Sequence, residues 1–234
     1  MQKHTLLVLG GCHIKGYPYK EEDSFVLKID KFKDFQVKLE STFPIKRLVK
    51  RLDLLNGIDH VMLQLGHYET NYSLSDFLFG KRIAKKSESS INEVVMDNAT
   101  ILSHTYTFGI RFYFLEIVKL ILQFIRDLSG KSLFDSKSIE KNLEDYFSRL
   151  NSHHIKNVTV LSAFYCPSFS TNIYRKRLNK ILHNKSLKYG YQYLDVFSLL
   201  EKNTKSTDYY YFDNIHLSKN SVNLLTDFIN QNLK

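Results

Sequence analysis

Three groups of residues in this chain have the types and spacing to do chemistry together. Cys12 follows Leu9-Gly10-Gly11. The run Gly66-His67-Tyr68-Glu69 follows an apolar stretch ending at Leu65. Asp213 and His216 stand just ahead of an amphipathic C-terminal segment. A cysteine is a nucleophile as its thiolate, and a helix N-terminus beginning at the residue lowers the thiol pKa. A histidine within hydrogen-bond reach can hold the thiol proton and later deliver it to a leaving group. A carboxylate on the opposite ring nitrogen fixes the tautomer and favours the cation. The spacing of Asp213 and His216 suits that pairing on one turn, and the Cys12 N–H, after a Gly-Gly turn, aims into the same space.

These groups are far apart in sequence, so the fold must bring them together. Four short apolar runs read as buried parallel strands: Thr5–Leu9, His60–Leu65, Asn157–Ala163 and Tyr191–Phe197. Phe35–Glu40 reads as a further strand, and Ser24–Phe32 is ambiguous between strand and helix. Pro44–Leu55 carries Ile45, Leu48, Val49, Leu52 and Leu55 on one face, and Ile173–Tyr189 carries Ile173, Leu178, Ile181, Leu182 and Leu187 among Arg and Lys at helical spacing. Ser218 reads as the N-cap of a helix reaching about Leu233, with Val222, Leu225, Phe228 and Ile229 inward. Strands alternating with helices predict an α/β sheet with right-handed crossovers. Between residues 75 and 150 the pattern turns helical only, with a broad apolar band from Phe112 to Ile125 and a second helix over Ser138–Leu150. This stretch reads as a helical insertion within a single domain spanning residues 1–234, serving as extra core or as a lid or partner surface. Ligands of such sheets bind beyond the carboxyl ends of the strands, where all three polar groups fall.

Composition narrows the field. The chain has 234 residues, 43 % of them apolar and 24 % charged, with 3 prolines and 9 glycines. That is globular composition, unlike disordered, collagenous or disulfide-scaffold chains. Its 2 cysteines, Cys12 and Cys166, fit a reducing, cytoplasmic setting. The net charge of +9 comes from scattered lysines rather than from a zinc-finger, RNP-like or basic-heptad pattern, so it reads as a solvated surface and not as a nucleic-acid interface. The apolar run Thr5–Leu9 is shorter than a secretory core of roughly 7–15 residues, although Leu9-Gly10-Gly11-Cys12 imitates the end of a lipoprotein signal. No apolar run reaches the roughly 20 residues of a membrane span; Phe108–Ile125 is interrupted by Arg111, Glu116 and Lys119. His153-His154 lacks further ligands at useful spacing, so no metal site is expected. His13 reads as a surface residue turned away from Cys12.

The segment Val8-Leu9-Gly10-Gly11-Cys12-His13-Ile14-Lys15-Gly16 resembles the first block, apolar strand then G-D-S-x-x-x-G, of the SGNH (GDSL-type) hydrolases. Val61 to Glu69 resembles that family's strand followed by G-x-N-D. Phe212-Asp213-Asn214-Ile215-His216-Leu217-Ser218 is similar to its final D-x-x-H block, and Tyr191–Phe197 to the strand that precedes it. The resemblance covers about the first 70 and last 80 residues. It implies a flavodoxin-like three-layer sandwich with a central parallel sheet. It also implies Cys12 as nucleophile, His216 as general base and acid, Asp213 as its orienter, and Gly11, Gly66, His67 and Tyr68 around an oxyanion or the substrate.

The chain departs from the family pattern at several positions. Cys12 stands for the serine, Gly11 for the preceding aspartate and Tyr68 for the oxyanion-hole asparagine. Glu40-Ser41-Thr42 occupies the place of the second-block glycine. The Cys-containing turn is also similar to that of capsule-polysaccharide acetyltransferase-like proteins. The resemblance thus implies hydrolysis of an acyl ester or thioester through an acyl-Cys12 intermediate. Its alternatives are transfer of an acetyl or other acyl group to a saccharide or small acceptor, and a catalytically degenerate binding protein. Hydrolysis needs no cofactor; transfer would take acyl-CoA as donor. The partner in each case is a small molecule, and the sequence specifies no oligomeric state.

Overall fold

The computed structural model describes residues 4–17, 19–41, 44–81, 109–155, 157–203 and 216–233. Five parallel strands form the sheet: β1 (Thr5–Gly10), β2 (Gln36–Ser41), β3 (His60–Gln64), β4 (Asn157–Leu161) and β5 (Gln192–Leu194), in the order β2-β1-β3-β4-β5. From β1 the chain first winds outward to β2, then returns to lay β3 on the other side of β1. The direction of winding therefore reverses between β1 and β3, which opens a crevice at their carboxyl ends. Gly10 pairs with Gln64, so the two strands end level and both following loops start on the same rim.

Both faces of the sheet are covered, which explains the continuous apolar runs of β1 and β3. Side chains alternate between the faces. Leu7, Leu9, Val61, Leu63 and Val160 enter one core; Leu6, Val8, Met62 and Leu161 enter the other. The second core is closed by Ile14 and by Phe25, Val26, Ile29 and Phe32. The last four come from the stretch whose periodicity was ambiguous. It forms short 3-10 turns at Val26–Lys28 and Asp30–Phe32, neither strand nor long helix.

The predicted helix after Pro44 runs over Ile45–Leu55 but winds as a 3-10 helix, interrupted at Arg51 (φ −105°, ψ 15°). At three residues per turn, Ile45 and Leu48 align along one line whose next member would be Arg51. The break there shifts the phase and turns Leu55 inward. The predicted strand Tyr191–Phe197 is also shorter. Among the described residues it pairs only with β4, and Asp195 ends it by capping a helix: its carboxylate accepts from Ser198 N (3.1 Å) and Ser198 Oγ (2.6 Å).

The helices are α1 (His67–Thr70), α2 (Leu74–Phe79), α3 (Ile110–Leu128), α4 (Ser136–Ser152), α5 (Phe169–Tyr189), α6 (Val196–Asn203) and α7 (Lys219–Asn232). Of the helical stretch between residues 75 and 150, residues 82–108 lie outside the described part. α3 and α4 lie in the connection from β3 to β4. α4 drives Leu143, Tyr146, Phe147 and Leu150 into the first core. α3 rests on α5 through the buried Glu116, whose carboxylate accepts from Ser168 Oγ (2.7 Å), Ser170 N (3.1 Å) and Ser170 Oγ (2.8 Å). Its outer face leaves Ile110, Phe114, Ile121, Phe124 and Leu128 exposed. α7 begins at Ser218, whose Oγ accepts from Ser221 N, and buries Leu225 and Ile229.

Candidate active site

The turn that carries Cys12 is built by close packing. A Cβ at Gly10 would stand 2.7 Å from the Gln64 carbonyl oxygen and 2.8 Å from Ile14 Cγ2, so only glycine lets β1 end this near β3. The Gly11 N–H then donates to Gln64 Oε1 at 3.1 Å, tying the turn to the last residue of β3. Cys12 opens a 3-10 turn over Cys12–Lys15.

His216 reaches the same point from the loop before α7. Its Nε2 lies 2.9 Å from Cys12 Sγ, and the Tyr17 ring meets it edge-on with centroids 4.4 Å apart. Asp213 lies outside the described residues. The adjacent His13 is not a surface residue. It is 5 % exposed, packs its ring against Phe164, and places Nδ1 4.0 Å from the sulfur. The 3-10 turn over Cys12–Lys15 folds it back into the space between Cys12 and Phe164. Burial pushes the Cys12 thiol up, but the His13 and His216 imidazoles beside it outweigh that and bring it down to about 5.

After β3 the chain passes through Gly66 at φ 102° and enters α1. A Cβ there would stand 2.1 Å from Leu178 Cδ2, so both the backbone angle and the space require glycine. Thr70 Oγ1 donates to the Gly66 carbonyl at 2.6 Å and braces the turn. His67, the first helical residue, brings its ring to centroid distances of 5.7 Å from His13 and 6.4 Å from His216. Tyr68 instead lines a cavity of about 160 Å³ with Pro44, Ile45, Tyr72 and Leu133. The residue that meets the His13 and His216 rings after this strand is thus His67, one position before the one that the family's asparagine implies.

Two residues that the sequence reading passed over complete the surroundings. Gln64 is one. Arg175 is the other: it is 2 % exposed, donates from Nη1 to the Phe164 carbonyl, and sets Nη2 3.5 Å from His67 Nδ1. It shares the buried face of α5 with Thr171, Asn172, Leu178 and Asn179 at helical spacing, a face too polar for the sequence to mark as inward. Cys166 is buried and bonded to Ser168 O and Asn172 Oδ1; burial pushes its thiol up, and both cysteines are free thiols. Among the described residues no group of three or more His, Cys, Asp or Glu side chains is arranged to hold a metal ion, and no helix is long and apolar enough to cross a membrane.

No family model and no curated protein matches the sequence. Solved structures do match along nearly the whole chain. A member of the lipolytic protein G-D-S-L family from Veillonella parvula DSM 2008 is similar at TM-score 0.61 and 10 % identity, over 98 % of this chain and 98 % of that one. The lipase/acylhydrolase from Enterococcus faecalis is similar at TM-score 0.57 and 13 % identity, over 97 % and 94 %. A catalytic mutant of an acetylxylan esterase from Geobacillus stearothermophilus is similar at TM-score 0.55 and 10 % identity, over 99 % and 95 %. Taken with the strand order and the rim on which Cys12 and His216 meet, these likenesses establish that the chain has the SGNH (GDSL-type) hydrolase fold.

Proposed function

We propose that the chain is a thiol-dependent acyl-ester hydrolase that works through an acyl-Cys12 intermediate. The observation that carries this reading is the 2.9 Å contact between Cys12 Sγ and His216 Nε2 at the switch point of the sheet. With the thiol brought down to about 5, Cys12 rests as the thiolate at neutral pH, and the mechanism assigns the proton to His216. Sγ attacks the ester carbonyl and the π pair moves onto oxygen. When that pair returns, the C–O bond breaks, and the leaving alkoxide takes the proton from His216. Neutral His216 then removes a proton from water as the hydroxyl adds to the thioester. Collapse releases the carboxylic acid and restores the thiolate–imidazolium pair. Asp213 is assigned to orient His216 through Nδ1. The structurally similar lipase/acylhydrolase and acetylxylan esterase support ester substrates, and the reactive thiolate suits a reducing compartment. The thioester is equally open to a sugar hydroxyl or amine, in which case acyl-CoA serves as donor and the same residues act.

The test is hydrolysis of p-nitrophenyl acetate by the wild type and Cys12→Ala. We expect a burst of p-nitrophenolate, a mass gain of one acetyl group on the peptide bearing Cys12, and a rate lower by roughly 10³-fold or more in the variant. Faster turnover on adding a sugar acceptor would identify transfer. Equal rates for the two proteins, with no acetylated peptide, would leave a binding protein.

A further inference from the structure

We propose that Arg175 is a positioning residue that holds His67 in the tautomer with its proton on Nε2, so that this imidazole donates a hydrogen bond to the oxyanion in place of the family's asparagine. The oxyanion role rests on the acyl chemistry proposed above; the tautomer does not.

A guanidinium only donates hydrogen bonds. With Nη2 at 3.5 Å, His67 Nδ1 must present its lone pair, and the ring proton of the neutral imidazole is then on Nε2. Nε2 is the other ring nitrogen, not the one that Arg175 meets. The ring lies 5.7 Å from that of His13 and 6.4 Å from that of His216, centroid to centroid, and these two are the imidazoles beside the sulfur. Tyr68, at the asparagine position, lines a different cavity, and the Gly11 N–H already donates to Gln64.

The state of Arg175 points the same way. It is 2 % exposed, a carbonyl and an imidazole hold its guanidinium rather than a carboxylate, and its Nε is buried without a partner. A buried cation held by neutral acceptors is costly. A donor hydrogen-bonded to such a cation is polarised, which strengthens its bond to an adjacent anion. As Cys12 Sγ bonds to the acyl carbon, the carbonyl pair becomes the oxyanion and accepts from His67 Nε2–H. His67 keeps its proton throughout, while His216 protonates the leaving alkoxide.

Two measurements test this. Long-range ¹H–¹⁵N spectra of the full-length protein should show wild-type His67 as the Nε2–H tautomer, with the preference lost in Arg175→Met. With p-nitrophenyl acetate, His67→Ala should lower kcat by roughly 100-fold, the usual effect of one oxyanion donor. Arg175→Met should lower kcat less, with KM unchanged, and add nothing in the His67→Ala background. His67→Asn, which restores an amide donor, should recover most of the rate and no longer respond to Arg175→Met. Alkylation of Cys12 by iodoacetamide forms no oxyanion, so its rate and pH midpoint should stay at wild-type values in every variant. If Arg175→Met does not fold, the wild-type tautomer and the rates of His67→Ala and His67→Asn still decide. An Nδ1–H tautomer in the wild type overturns the assignment, as does alkylation slowed in parallel with turnover, or additive losses in the double variant. Wild type no faster than Cys12→Ala overturns the oxyanion role, and the spectra still decide the tautomer.

Discussion

Nε2 of His216 stands 2.9 Å from Sγ of Cys12 across a sequence separation of 204 residues. Elements far apart in the chain bring this pair together. Cys12 is carried by a turn pinned to β3 through Gln64, and His216 by the loop that enters α7, whose Leu225 and Ile229 are anchored in the core beneath the same sheet. The contact therefore depends on the packing of the second core.

The ionisation of Cys12 is directly measurable. Alkylation by iodoacetamide follows the thiolate, so its rate should stay high at neutral pH and fall to half near pH 5. His13→Ala and His216→Ala should each move that midpoint upward, because each removes an imidazole that favours the thiolate over the thiol. Cys166, pushed up by burial, should react only after unfolding. A native midpoint at the ordinary thiol value of about 8.5 would contradict this electrostatic account.

Gly66→Ala should destabilise the fold. The new Cβ meets Leu178 Cδ2 at 2.1 Å, on a backbone at φ 102°. Crowding of this kind costs about 1–3 kcal/mol, and the strained backbone about 1–3 kcal/mol more. For a chain of this size that corresponds to a melting point lower by roughly 4–24 °C. An unchanged melting curve would show that Leu178 yields without cost. Turnover should also fall, because His67 follows directly.

His60 should make the fold acid-sensitive. Burial, with Lys31 adding to it, lowers its pKa from 6.5 to about 4, and its Nε2 is paired with Thr159 Oγ1 at 3.1 Å. Above pH 6.5 neither state binds the proton and this stability is fully present. Between 6.5 and about 4 the unfolded chain takes up a proton that the folded one refuses. Stability then falls by about 1.4 kcal/mol per pH unit, a loss on the order of 3 kcal/mol by pH 4. Urea unfolding at pH 7 and pH 5 should show a smaller difference for His60→Leu than for the wild type. The same difference in both would assign the acid sensitivity to other groups.

Much of this architecture was legible without coordinates. The runs at Thr5, His60 and Asn157 could only be strands covered on both faces, because water tolerates no such continuous apolar surface. Ser218 ahead of Leu225 and Ile229 announced a capped, half-buried helix. Cys12 and Gly66 were legible as candidates because each follows a strand that had to end on the rim of the sheet, and His216 because it stands just ahead of that capped helix. What the linear pattern could not decide was set by contacts between distant segments. His13 joins the site because the backbone after Gly11 winds into a 3-10 turn, under the close approach of β1 to β3 at Gly10. Which of His67 and Tyr68 meets the rings of His13 and His216 depends on Gly66 at φ 102°, close against Leu178 of α5. Arg175, one cation in a helix rich in them, became a buried neighbour of His67 only when that helix laid its inner face on the sheet. Periodicity records which side of an element avoids water; the partner waiting on that side is a property of the folded chain alone.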